Sequence, residues 1–166
     1  AGLAIHLARN ILKEKFVIEK TEKALMNCEW PGRLQQIKSG LLNKKIKKYK
    51  NIYLDGFHNI DGMKALIKSL PKNRKILICS FLKNKKYIQM LSNLSNHFNK
   101  IIVVKMNEEN SITEDLLPKY LKLYFANSLS DSFKMINKLS SNQTTIYFGG
   151  SLYFIGEVIK LNRLKN

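Results

Sequence analysis

Cysteine, acidic residues and long apolar runs are all scarce in this sequence. Its two cysteines, Cys28 and Cys79, lie far apart with no partner spacing for metal or redox chemistry, which excludes a zinc module and reads as two reduced thiols. No stretch approaches the ~18 consecutive apolar residues of a membrane span, and no charged, apolar and small-residue leader opens the chain. The expectation is a cytoplasmic protein with no membrane partner. No glycine is followed by lysine, so the chain carries no phosphate-cradling P-loop of its own. What is present is 166 residues. A chain of this length forms one domain and buries about 68–70% of the surface its unfolded form exposes.

Acidic residues number 12 against 29 lysines and arginines, a formal net charge of +17. Such a balance brings a nucleic-acid or anionic partner into consideration. The excess is mostly lysine, scattered and accompanied by abundant Asn and Ile, a joint bias of AT-rich coding at tolerant surface positions. Base-reading surfaces lean instead on arginine and aromatics, whose planar groups fork onto guanine and stack on bases. The densest run, Lys44, Lys45, Lys47, Lys48 and Lys50, reads as a solvated loop. Nucleic acid is accordingly the lesser reading.

Leu3, Leu7 and Ile11 recur at helical spacing, and the opening residue is not Met, so the reading expects a piece cut from something longer. A second helix is predicted over Val17 to Cys28, stopped by Trp30, Pro31 and Gly32. Residues 1–28 are thus expected to form a helical lead, and residues 29–166 the main domain. Strands are predicted over Arg33 to Ile37 and Lys50 to Leu54, joined by the lysine-rich loop into a hairpin. Helices and short apolar strands then alternate to the end of the chain, with a short helix near Thr113 to Tyr120. Apolar runs without period-two alternation imply strands covered on both faces. The fold class is therefore α/β, with a mostly parallel, doubly wound sheet of six strands that includes an antiparallel hairpin strand.

Ligands of such folds gather outside the carboxyl ends of the strands. Three polar clusters fall there. Asp55, Gly56, Phe57, His58 and Asn59 follow a strand and open a helix. Asp55 is suited to accept from a ribose hydroxyl, Gly56 to allow close backbone approach, and His58 to meet a phosphate or carboxylate. The plainer alternative is that Asp55 and Asn59 satisfy turn amides while His58 lies exposed. Arg33, just after the Trp30-Pro31-Gly32 turn, offers a guanidinium fork to phosphate, or else to a buried salt bridge. Gly149, Gly150 and Ser151 join a strand to a helix, where backbone N–H groups bind an anion or the residues simply pack and cap. His6 and His97 sit on helices without ligand-spaced partners and read as structural.

In order and context, WPGRLQ at residues 30–35, YLDGFHN at 53–59 and GGSLYFIGEV at 149–158 resemble the carboxy-terminal domain of folylpolyglutamate and dihydrofolate synthases, relatives of the Mur ligases. The resemblance spans nearly the whole chain, implies a six-stranded, Rossmann-like three-layer domain, and makes residues 1–28 similar to the tail of that family's central ATPase domain. It implies an ATP- and magnesium-dependent amide ligase that phosphorylates a carboxylate of folate or dihydropteroate, after which the amine of L-glutamate attacks the acyl phosphate. By match to the motifs, Arg33 meets ATP phosphates, Asp55 and Asn59 the nucleotide region, and His58 the reacting groups. The family keeps its P-loop and magnesium ligands on the central domain, so that domain is the implied partner and the chain alone is expected to be inactive.

Departures accompany these matches. Phe57 stands where the family has Ala and is expected to crowd the site, Ile60 replaces a common Pro, and Asn84, Lys85 and Lys86 reverse the charge of an Asp-Lys-Asp triplet. A folded remnant that binds nothing is the alternative these departures raise. A basic nucleic-acid module is the third reading.

Overall fold

The computed structural model describes residues 2–46, 51–139 and 143–164, so Lys47, Lys48 and Lys50 of the lysine run lie outside the described residues. The chain divides between Pro31 and Gly32 into two compact units.

The first unit holds α1 (Gly2–Leu12) and α2 (Ile18–Met26), separated by a 3-10 turn at Lys13–Lys15. No residue of either helix is buried. The Leu3, Leu7 and Ile11 stripe of α1 is 75%, 50% and 76% exposed.

The second unit begins with β1 (Gln35–Gln36), α3 (Leu41–Lys45), β2 (Asn51–Asp55) and α4 (Ile60–Ser69). Next come β3 (Lys75–Cys79), α5 (Tyr87–Ser95), β4 (Lys100–Val104) and β5 (Leu123–Ala126), then α6 (Leu129–Leu139), β6 (Thr145–Gly149) and α7 (Leu152–Arg163). The six strands form one sheet in the order β1-β2-β6-β3-β4-β5. Every pairing is parallel except that of β1 with β2.

Central strands β3 and β6 are buried at every residue, as their unbroken apolar runs require. Successive side chains of a strand point to opposite faces. Ile76 and Ile78 accordingly join one core with Leu42 of α3, Ile136 of α6 and Val158 of α7, while Leu77 and Cys79 join the other with Met63 of α4 and Met90 of α5. Helices thus cover both faces.

Two local expectations fail for identifiable reasons. The hairpin connector is not all loop, because Leu41 and Leu42 have apolar surface to bury and wind into α3. Asn162 of α7 fixes that turn, its Oδ1 accepting Leu42 N–H at 3.0 Å and its Nδ2 donating to Ser39 O at 3.1 Å. The helix expected near Thr113 to Tyr120 shrinks to a 3-10 turn at Glu114–Leu116, with Pro118 unable to continue it.

Helix α4 starts at a side-chain cap. Asn59 Oδ1 accepts the Gly62 N–H at 2.8 Å. Asn59→Ala leaves that donor without its side-chain partner and is expected to lower stability by about 1 kcal/mol in urea unfolding.

Candidate functional site

Helices α4 and α5 leave the carboxyl ends of β2 and β3 toward one face of the sheet, and α7 leaves β6, which lies between them, toward the other. This opening of connections to opposite sides makes a crevice, the usual ligand position of open α/β sheets. The segments around Arg33, Asp55–Asn59 and Gly149–Ser151 all meet at this edge.

Gly56 is the hub. Its N–H donates to Gly32 O at 2.7 Å. Its carbonyl receives both Arg33 Nη1 at 3.0 Å and His58 Nδ1 at 3.1 Å. One backbone oxygen therefore orients the two side chains most suited to phosphoryl and amine chemistry. Because a carbonyl only accepts, His58 Nδ1 carries the proton, and in the neutral ring Nε2 is left with its lone pair for a substrate. A side chain at residue 56 would meet Leu152 Cδ2, the end of a half-exposed leucine that would have to turn aside.

Asp55 ends β2 and splits its carboxylate between two turns. Oδ2 accepts the Leu34 N–H and Oδ1 the Phe57 N–H, each at 3.0 Å. Burial pushes this carboxyl above its ordinary value, while the two amide hydrogen bonds and the Arg33 charge pull it back in part. Each oxygen keeps a lone pair beyond the one used, so a ribose hydroxyl still has an acceptor here. Arg33 itself is exposed, between Gly32 at φ 72° and Leu34 at φ 41°. A leucine in left-handed backbone costs of order 1–3 kcal/mol and persists only where its surroundings hold it. Asp55 supplies that hold, and the strained turn sets the guanidinium beside Gly56.

The crevice deepens into a cleft of about 280 Å³ lined by His58, Asn84, Lys85 and Ser151 among others. Gly150 at φ 97° turns the chain into α7, whose N-cap Ser151 makes no side-chain capping hydrogen bond. A larger hollow of about 630 Å³ lies beside β5, between Glu114 and Phe125, and contains none of the motif residues.

The four residues singled out in the sequence separate by role. Arg33 and His58 converge on Gly56, and His58 reaches the cleft. Asp55 lies behind them, and Asn59 uses its Oδ1 for the helix cap. Phe57 corrects an expectation. Its ring does not crowd the cleft but is fully buried, 6.1 Å from Phe81, in space left by the missing side chain of Gly149. The cleft wall at Leu82, Leu152 and Tyr153 was not singled out as a site, because apolar side chains carry no chemical signal of one. The left-handed Leu34 gives no sequence signal at all.

No family model matches the chain. Among solved structures, it shares the fold of Mycobacterium tuberculosis folylpolyglutamate synthase complexed with ADP, with TM-score 0.74 and 17% identity over 91% of this chain and 36% of that one. The bifunctional folylpolyglutamate synthase/dihydrofolate synthase of Yersinia pestis, complexed with AMPPNP and Mn ion, matches with TM-score 0.74 and 16% identity over 90% of this chain and 35% of that one. The fold is shared with these synthase structures, of whose length the chain spans little more than a third. By sequence the chain is similar to the dihydrofolate synthase/folylpolyglutamate synthase of Bacillus subtilis, 26% identical over 175 aligned residues. The alignment covers 99% of this chain and 38% of that relative's length. The resemblance carried by the three motifs holds along the whole chain.

Proposed function

We propose that this chain is the carboxy-terminal part of an ATP-dependent amide ligase that adds L-glutamate to folate or dihydropteroate, acting together with a P-loop-bearing ATPase portion in cis or in trans. The single observation that carries this reading is the Gly56 carbonyl holding Arg33 and His58 together at the sheet edge. Magnesium-bound ATP supplies the phosphoryl group, and its metal ligands are expected on the ATPase portion. Arg33 holds phosphate oxygens and neutralises charge developing on them, Asp55 receives the nucleotide's ribose or base region with Asn59 beside it, and His58 presents Nε2 to the reacting amine or carboxylate.

Helix α1 supports the need for a second part. Its Leu3, Leu7 and Ile11 are exposed, an apolar stripe of the kind that marks an interaction surface. The reading assigns residues 1–28 to the tail of the ATPase portion and the rest to the carboxy-terminal domain. Cytoplasmic location follows from the substrates proposed, and among the described residues no helix is long and apolar enough to cross a membrane.

The test is complementation. Alone, the chain is expected to form no glutamyl product from ATP, L-glutamate and tetrahydrofolate or dihydropteroate. Mixed with the ATPase portion of the Bacillus subtilis relative, it is expected to restore product formation above that portion's own level. Turnover by the pure chain, or none by the mixture, contradicts the proposal.

A further inference from the structure

Strand register sets three chain ends abreast at the site edge. Asp55 of β2 lies opposite Gly149 of β6, and Gly149 opposite Cys79 of β3, with β6 in the middle. Two residues past Asp55 and Cys79 the outer chains carry Phe57 and Phe81, while the middle chain turns at Gly149 and Gly150. Both phenylalanines are fully buried, and their rings meet at 6.1 Å with a tilt of 57°. They can meet because the middle chain has no side chains there. A Cβ on Gly149 would run into Phe57 Cε1, and one on Gly150 would lie 3.0 Å from Phe81 Cε1. Gly149 is not at positive φ, so contact alone opposes a side chain at that position.

Each part of this packed base is followed at once by a wall of the cleft. His58 comes after Phe57, Leu82 after Phe81 and Ser151 after Gly150, and all three line the opening. Phe57 sits between the two groups that matter most for chemistry: Gly56, whose carbonyl accepts from Arg33 and His58, and His58 itself. Its own N–H is donated to Asp55 Oδ1 at 3.0 Å, so the turn is tied at the backbone and seated by the ring.

We infer that Phe57 is a positioning residue for His58, its buried ring seating the 55–59 turn on Gly149 and Phe81 so that the imidazole keeps its hydrogen bond to Gly56 O; this deepens the ligase reading and rests on it for what His58 does. The ring at 57 and the bare backbone at 149 work as a pair.

Ring-nitrogen NMR of the whole chain, with no nucleotide and no second protein, tests this apart from the ligase reading. With the imidazole neutral, the parent His58 is expected to carry its proton on Nδ1. In Phe57→Ala the ratio of Nδ1–H to Nε2–H rings is expected to fall about two- to tenfold, the scale of one neutral hydrogen bond. Gly149→Ala keeps Phe57 but pushes its ring off the seat; it is expected to shift the ratio the same way, and it reads the effect if Phe57→Ala does not fold. Phe57→Met refills the space with a flexible apolar chain and is expected to hold the parent ratio. Phe133→Ala empties a buried site in the core on the other face of the sheet, and is expected to lower the urea midpoint while leaving the His58 ratio at its parent value. In the double variant Phe57→Ala, Gly149→Ala the added Cβ no longer meets a ring, so the loss of stability is expected to be smaller than the sum of the two single losses. A parent ring protonated on Nε2, a parent ratio in both Phe57→Ala and Gly149→Ala, the same fall in Phe133→Ala, a Met variant shifted as far as the Ala variant, or stability losses that simply add would each overturn the inference.

Discussion

Gly150→Ala is expected to cost about 3 kcal/mol of stability. At φ 97° the residue occupies backbone that an L side chain adopts at a cost of roughly 1–2 kcal/mol. A Cβ there would also lie 2.5 Å from Ser80 O and 3.0 Å from the Phe81 ring, and overpacking of this kind adds about 1–3 kcal/mol. Ser80 has little room to yield, because its N–H donates to Gly149 O at 3.2 Å and its hydroxyl to Val104 O at 2.6 Å. Gly156 is the matched control. It lies within helix α7 with nothing near its missing Cβ, so Gly156→Ala is expected to gain up to about 1 kcal/mol from helix propensity. Urea midpoints of the two variants should therefore move in opposite directions; a Gly150 variant as stable as the parent would mean that the turn into α7 is laxer than described.

Much of this architecture was legible because the strands are buried on both sides and the helices are not. The unbroken run around Ile76–Cys79 has no solvent face to encode, whereas Met63 and Leu66 recur at the helical period and mark the buried side of α4. Asn59 was legible as opening a helix for a local reason, since its side chain serves an amide only three residues away. Other features depend on partners distant in the chain. The Leu41–Lys45 helix exists because Asn162, far along the sequence, holds its first turn. Phe57 turned inward because Gly149 leaves space for its ring, a pairing that no reading of residues 55–59 alone contains.

The site shows the same division. The motif residues Arg33, Asp55 and His58 stood out by type; the Gly56 carbonyl brings Arg33 and His58 together, and Asp55 joins them through the Leu34 and Phe57 amides. Asp55 and Asn59 also perform the turn-satisfying tasks that the plainer reading gave them, and that does not exclude the nucleotide. Asn84 and Lys85 line the cleft, so the departures that the resemblance marks at 84 and 86 fall at or beside the candidate site.

Arg33→Ala is expected to weaken Mg-ATP binding about 10- to 100-fold in the assembled ligase, the range set by losing one charged hydrogen bond of roughly 1.5–3 kcal/mol. Arg33→Lys keeps the charge but not the fork that spans phosphate and the Gly56 carbonyl, and is expected to recover only part of the loss. Both variants should keep the fold, because Arg33 is exposed and its backbone turn is also held by Gly32 O, Gln35 and Asp55. The deciding measurement is isothermal titration with Mg-ATP of the ATPase portion of the Bacillus subtilis relative, first without and then with this chain. Affinity that rises on adding the parent chain, and fails to rise with the Arg33→Ala chain, is the predicted result. Affinity unchanged by the parent chain, or raised equally by the variant, would contradict the assignment of this domain as the second half of a nucleotide site.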